Sequence, residues 1–133
     1  MTRLFLIIAA IGAIAFGAMQ IGAQASTAGW DLYDEAEFIM AQQKGKRIVV
    51  DVHADWCPTC RAQAPILNEI REEHQSDTTL FIKVDFDDPE GFLEQHQIAR
   101  QSTVLVFDGT QEVARTVAET DRTRLRSAVL SGF

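Results

Sequence analysis

The amino-acid sequence predicts an α/β domain, a mixed central β-sheet with helices on both faces. Short β-branched, almost continuously apolar runs at 48–52, 80–85 and 103–107 alternate with helical stretches. Runs of that kind read as strands covered on both faces. Asp108-Gly109 after the third run is a turn signal, sending the chain back antiparallel from Glu112 to Ala118. With 133 residues, 47% hydrophobic and 23% charged, the chain holds one ordinary domain with a self-sufficient core.

The first residues read as an address rather than as fold. Arg3 precedes an uncharged apolar run from Leu4 to Met19, and Ala23 and Ala25 make the small-x-small pattern a signal peptidase binds. This predicts a signal peptide over 1–25, cleaved after Ala25, or an uncleaved N-terminal membrane anchor, with the domain at 26–133. In either case the domain faces an oxidising extracytoplasmic space, the periplasm of a bacterial cell.

Asp34 caps a helix that carries Ala36, Phe38, Ile39 and Met40 and stops at Gly45. After the first long strand, a helix starts around Cys57-Pro58 and runs to about His74, with Ile66, Leu67 and Ile70 on one face. Pro58 suits the first turn, whereas Pro65 falls in mid-helix and predicts a kink. Asp88-Pro89 opens a short helix, with Asp88 as cap and Pro89 at the first helical position. Asp121 caps the last helix, where Leu125, Ala128 and Val129 form the buried stripe. Arg122, Arg124 and Arg126 form a solvated basic face on it.

Charge and cysteine count exclude several functions. Lys and Arg number 12 against 19 Asp and Glu, a net charge of −7. Nucleic-acid binding needs a basic face to displace phosphate counterions, so no nucleic-acid partner is expected. Two cysteines cannot build a disulfide-rich scaffold, and alone they do not supply the four ligands of a structural zinc. No cofactor and no resident metal are expected.

The chemistry lies in Cys57-Pro58-Thr59-Cys60, where the apolar strand gives way to the helix. A thiol at a helix N-terminus meets unpaired N–H groups and the positive end of the macrodipole. The Cys57 pKa is therefore expected to fall, leaving a thiolate near neutral pH. Two intervening residues bring the second sulfur within one turn, so Cys57 can attack a substrate disulfide and Cys60 can resolve the mixed disulfide. A static disulfide closing so small a ring would constrain the unfolded chain little. Asp51 interrupts an apolar strand, which predicts a buried carboxylate with a raised pKa. Lys83 interrupts the next strand in the same way.

Together these residues resemble the thioredoxin family over most of the domain, from about Trp30 to Phe133. The run 50–60, Val-Asp-Val-His-Ala-Asp-Trp-Cys-Pro-Thr-Cys, looks like the family's active-site strand and helix start, and Pro65 matches its helix-kinking proline. Ala54-Asp55-Trp56-Cys57 is also similar to the C-terminal periplasmic domain of the transmembrane thiol:disulfide interchange protein DsbD. The resemblance implies a thioredoxin-like fold and thiol:disulfide oxidoreductase activity on protein thiols and disulfides. It implies that Asp51 assists proton transfer to and from the resolving thiol and that Lys83 pairs with Asp51. The substrate groove would comprise Trp56, Pro58, Thr59, Gln101, Ser102, Thr103 and Ala118, with Trp56 shielding the disulfide.

The sequence departs from the family at three places. The family's cis-proline facing the dithiol falls at Ser102, and the only prolines are Pro58, Pro65 and Pro89. A non-proline cis bond costs about 2.5–4 kcal/mol, so Gln101–Ser102 is expected to be trans, adding a free N–H near the sulfurs. Ala118 stands where the family has a groove-lining glycine. His53 occupies a position often held by tryptophan; a hydrogen-bonded packing residue is the ordinary reading, with tuning of the thiolate or a third metal ligand as others.

The reading that follows is an exported thiol–disulfide oxidoreductase, a monomeric domain fed electrons by a membrane-bound donor. No histidine lies between the cysteines to stabilise the thiolate, which favours the reductase or interchange direction. Two alternatives use the same residues: a Cu(I) carrier with Cys57, Cys60 and His53 as ligands, and an interaction module with weak turnover.

Overall fold

The computed structural model describes residues 29–133; the predicted signal peptide or anchor lies outside the described residues. Among the described residues no helix is long and apolar enough to cross a membrane. The elements are β1 (Asp31–Leu32), α1 (Glu35–Gln43), β2 (Arg47–His53), α2 (Pro58–His74), β3 (Thr79–Asp85), α3 (Phe92–Gln95), β4 (Thr103–Asp108), β5 (Gln111–Val117) and α4 (Arg122–Leu130).

The five strands form one sheet in the order β1-β3-β2-β4-β5. β3 runs parallel to β1 and β2, whereas β4 is antiparallel to β2 and β5 to β4. The expected mixed sheet and its terminal hairpin are therefore present. β1 was not expected: two exposed residues carry no readable hydrophobic period.

Side chains alternate across β2 and divide the core in two. Ile48, Val50 and Val52 pack with Phe38, Phe92, Ile98, Leu105 and Phe107 on one side of the sheet. Val49 packs with Trp30, Ile66, Leu67, Ile70, Leu125 and Val129 on the side covered by α2 and α4. Asp51 and His53 share the parity of Val49, which puts both side chains on the α2 side.

Caps follow the sequence at most helix starts. Asp34 accepts the Glu37 N–H at 2.8 Å and Asp121 the Arg124 N–H at 2.9 Å. α3 is the exception, because it begins at Phe92, not at Asp88-Pro89. Glu90 and Gly91 both take positive φ (48° and 85°), which no right-handed helix passes through. Pro89 instead closes a turn by accepting the Phe92 N–H at 2.9 Å.

Pro65 lies inside α2 on an exposed face, where water can take the carbonyl its missing N–H leaves free. On α4, Leu125 and Val129 are buried but Ala128 only partly, so the apolar stripe is narrower than expected. The arginines of α4 are not a free basic face either. Arg122 pairs with Glu69, Arg126 with Glu73, and Arg124 with Glu119. The first two pairs tie α4 to α2 and cancel the charge that the sequence pattern leaves unopposed.

Candidate active site

Cys57 is the N-cap of α2, and its position follows from the strand that precedes it. β2 ends at His53, the Cys57 N–H bonds back to the Ala54 carbonyl at 3.0 Å, and Pro58 opens the helix. Cys57 Sγ accepts the Cys60 N–H at 3.1 Å. Both cysteines are reduced and buried, each 1% exposed.

Burial works against ionisation of Cys57, but hydrogen bonds from the Cys60 thiol, the Ser102 hydroxyl and the Cys60 and Thr59 backbone amides outweigh it and lower the pKa. Cys60 moves the other way, raised by burial and by its hydrogen bond to Cys57. The two sulfurs are thus shifted in opposite directions, the order that a nucleophile and a resolver require.

Ser102 lies on the other side of the sulfurs, with Oγ 3.1 Å from Cys57 Sγ and 3.2 Å from Cys60 Sγ. No cis peptide bond occurs among the described residues, so Gln101–Ser102 is trans as expected. The expected free N–H is not there. Ser102 turns into the left-handed region (φ 63°), and its N–H donates to the Val52 carbonyl at 2.8 Å. Its carbonyl accepts the Ala118 N–H at 2.9 Å, and Ala118 also has positive φ (54°). That conformation suits glycine better than alanine.

Gln63 is the site residue that motif reading missed. It is fully buried on α2, and its amide donates to the Ser102 carbonyl at 3.3 Å and the Glu119 carbonyl at 3.0 Å. The signal was available: Gln63 lies three, four and seven positions before Ile66, Leu67 and Ile70, on the apolar stripe of the helix.

The groove candidates separate by exposure. Trp56 is 56% exposed, its indole N–H donating to Asp87 Oδ2 at 2.8 Å, and Pro58 beside it is exposed as well. Thr59, Gln101 and Ala118 are half-buried. Thr103 is buried, with its hydroxyl spent on the Arg100 carbonyl at 2.8 Å, so it contributes no open surface.

Asp51 is 2% exposed, and burial raises its pKa to about 6 against an opposing pull from Lys83. Lys83 is its register partner on β3, but no ion pair joins them among the described residues; the ammonium sits 5.8 Å from the centre of the Trp30 ring. Lys83 therefore acts on Asp51 through space. It also lines an open cleft of about 280 Å³ with His53, Asp55, Asp85 and Asp87.

His53 Nδ1 lies 3.7 Å from Asp51 Oδ2, and Nε2 lies 3.5 Å from Asp55 Oδ1. Its ring lies between two carboxylates, with Nδ1 left without a hydrogen-bond partner. Among the described residues no three His, Cys, Asp or Glu side chains converge on a metal-sized site, so a carrier site completed by His53 is not assembled.

A mixed sheet that presents two free cysteines one turn apart at the mouth of a helix defines a class, the dithiol–disulfide exchange proteins. Comparison with known proteins agrees. The thioredoxin family model matches residues 32–131. Thioredoxin-1 of Saccharomyces cerevisiae is 32% identical over 83 residues, 62% of this chain and 78% of that protein. The thioredoxin of Alicyclobacillus acidocaldarius subsp. acidocaldarius is 30% identical over 93 residues, 70% of this chain and 88% of that one. Among solved structures, Trxlp of Edwardsiella tarda EIB202 superposes with a TM-score of 0.69 at 33% identity, covering 74% of this chain and 96% of that chain. This chain belongs to the thioredoxin family, and it is a thiol–disulfide oxidoreductase of that family.

Proposed function

We propose that the protein works outside the cytoplasm as a reductase or interchange protein for protein disulfides, with Cys57 as nucleophile and Cys60 as resolver. The observation that carries this reading is the Cys57 sulfur at the N-cap of α2, held by the Cys60 N–H at 3.1 Å and the Ser102 hydroxyl at 3.1 Å. The donors around that sulfur are neutral, and no histidine lies between the cysteines to stabilise the thiolate as strongly oxidising relatives do. The charge-free apolar run 4–19 and the Ala23-x-Ala25 pattern support export. An exported reductase needs electrons from across a membrane, which points to a membrane-bound donor of the kind that the DsbD-like wording of residues 54–57 suggests.

In this reading Asp51 takes and returns the proton of Cys60, with Lys83 biasing its charge through space. Trp56 and Pro58 form the exposed surface a client touches. The test is reduction of insulin by the purified protein, with Cys57→Ser abolishing turnover; retained turnover overturns the assignment. Equilibration with glutathione fixes the direction: a potential near about −270 mV makes it a reductant and one near about −120 mV an oxidant.

A further inference from the structure

We propose that Ser102 is a catalytic residue whose hydroxyl follows the negative charge between the sulfurs, donating first to Cys57 Sγ and then to Cys60 Sγ. The proposal rests on the exchange reading above and assigns a group to the step between its two attacks.

The geometry is nearly symmetric. Ser102 Oγ lies 3.1 Å from one sulfur and 3.2 Å from the other, at a residue with no solvent exposure. A hydroxyl carries one proton and two lone pairs, so it donates to one sulfur at a time. Rotation about the Cβ–Oγ bond turns the proton from one sulfur to the other without moving a heavy atom.

The heavy atoms are fixed independently. The Ser102 N–H is committed to the Val52 carbonyl, and the Ser102 carbonyl accepts from Ala118 N–H and Gln63 Nε2. A serine at φ 63° is uncommon, and such backbone persists only where its surroundings over-determine it. Proline at this position would bring neither a hydroxyl nor an N–H for Val52.

The exchange then runs as follows. Cys57 Sγ carries the charge at rest, with the Ser102 hydroxyl and the Cys60 thiol both donating to it. Cys57 Sγ attacks the client disulfide; a Cys57–client bond forms, the client S–S bond breaks, and the electron pair leaves on the second client sulfur. Cys57, now in a mixed disulfide, is a poor acceptor, and the hydroxyl turns to Cys60. Cys60 passes its proton to Asp51, attacks Cys57 Sγ and expels the first client sulfur, and Asp51 then returns the proton to a client sulfur. Two electrons have passed to the client, the protein holds a Cys57–Cys60 disulfide, and the Cys60 proton ends on a client thiol. In keeping with this path, the Ser102 hydrogen bond opposes burial at both thiols and favours ionisation of each.

The test separates the two attacks. Mixed with 5,5′-dithiobis(2-nitrobenzoate), the reduced protein releases one chromophore when Cys57 attacks and a second when Cys60 resolves. Ser102→Ala is expected to slow the second release about tenfold, the loss of one hydrogen bond to a charged group. The same variant is expected to move the pH profile of Cys57 alkylation up by about one unit. Ser102→Gly removes the hydroxyl while relieving the positive φ, so it tests the hydroxyl without added backbone strain. Defects shared by both variants uphold the proposal. Unchanged second release and unchanged alkylation profiles in either folded variant overturn it. If the wild-type protein releases no chromophore, the exchange reading fails, and the alkylation profiles alone decide whether Ser102 holds the sulfurs.

Discussion

Asp51 and His53 stand two residues apart on the same face of β2, with Oδ2 and Nδ1 3.7 Å apart. Neither Asp51 Oδ1 nor His53 Nδ1 has a hydrogen-bond partner. Burial raises the acid's pKa and lowers the base's, so it disfavours the charged form of each. The consequence for stability has a definite sign. The Asp51 carboxyl titrates at about 6 in the fold against an ordinary 3.8. Its favourable contribution is complete below 3.8 and is lost as the pH rises through 6.

Asp51→Asn, which does not ionise, is therefore expected to stabilise the protein at pH 8 by an amount on the order of 3 kcal/mol. The gain is expected to vanish at pH 4. Urea unfolding at the two pH values checks this, and equal gains at both would contradict it. The same variant is expected to slow insulin reduction, because the proton acceptor proposed for Cys60 is gone.

Ser102→Pro restores the residue usual in the family and is nonetheless expected to destabilise this protein. Proline holds φ near −65°, and its missing N–H orphans the Val52 carbonyl, now bonded at 2.8 Å. A loss of more than about 1 kcal/mol is expected from chemical denaturation, and a gain in stability would show that the loop can refold around proline.

Gln63→Leu keeps the volume on the apolar stripe of α2 but removes two donated hydrogen bonds. The Ser102 carbonyl retains the Ala118 N–H; the Glu119 carbonyl loses the Gln63 amide. The expected cost is about 1–3 kcal/mol in unfolding free energy, accompanied by faster amide exchange at Ala118. Unchanged exchange there would mean that the glutamine does not brace the loop.

Trp56→Ala removes an exposed side chain with one hydrogen bond to Asp87. Stability is expected to fall by no more than about 1 kcal/mol, while KM for a protein disulfide rises several-fold. An unchanged KM would take the client surface away from this residue.

The sheet was legible because its strands are short β-branched runs and its turn is Asp-Gly. The nucleophile was legible because a strand, a cysteine and a proline occur in that order. Asp51 stood out as a charge inside an apolar run. What escaped notice depended on backbone sign and on long-range pairing. Glu90 and Gly91 reverse their φ and delay α3, and nothing in the local composition announces it. Ser102 was legible as a departure, but the fate of its N–H was decided by Val52, fifty residues earlier in the chain. Gln63 carried a signal that was passed over: a polar residue in register with Ile66, Leu67 and Ile70. Arg122 and Arg124 on α4 are exposed, as the sequence predicts, but two of the three arginines are neutralised by glutamates of a different helix, which no local pattern shows.

Each of the paired sulfurs is only 1% open to water. A roaming peroxide molecule meets a covered target, so over-oxidation to sulfinic acid is expected to be slow. A disulfide that reaches them meets the exposed indole of Trp56 and the ring of Pro58 first.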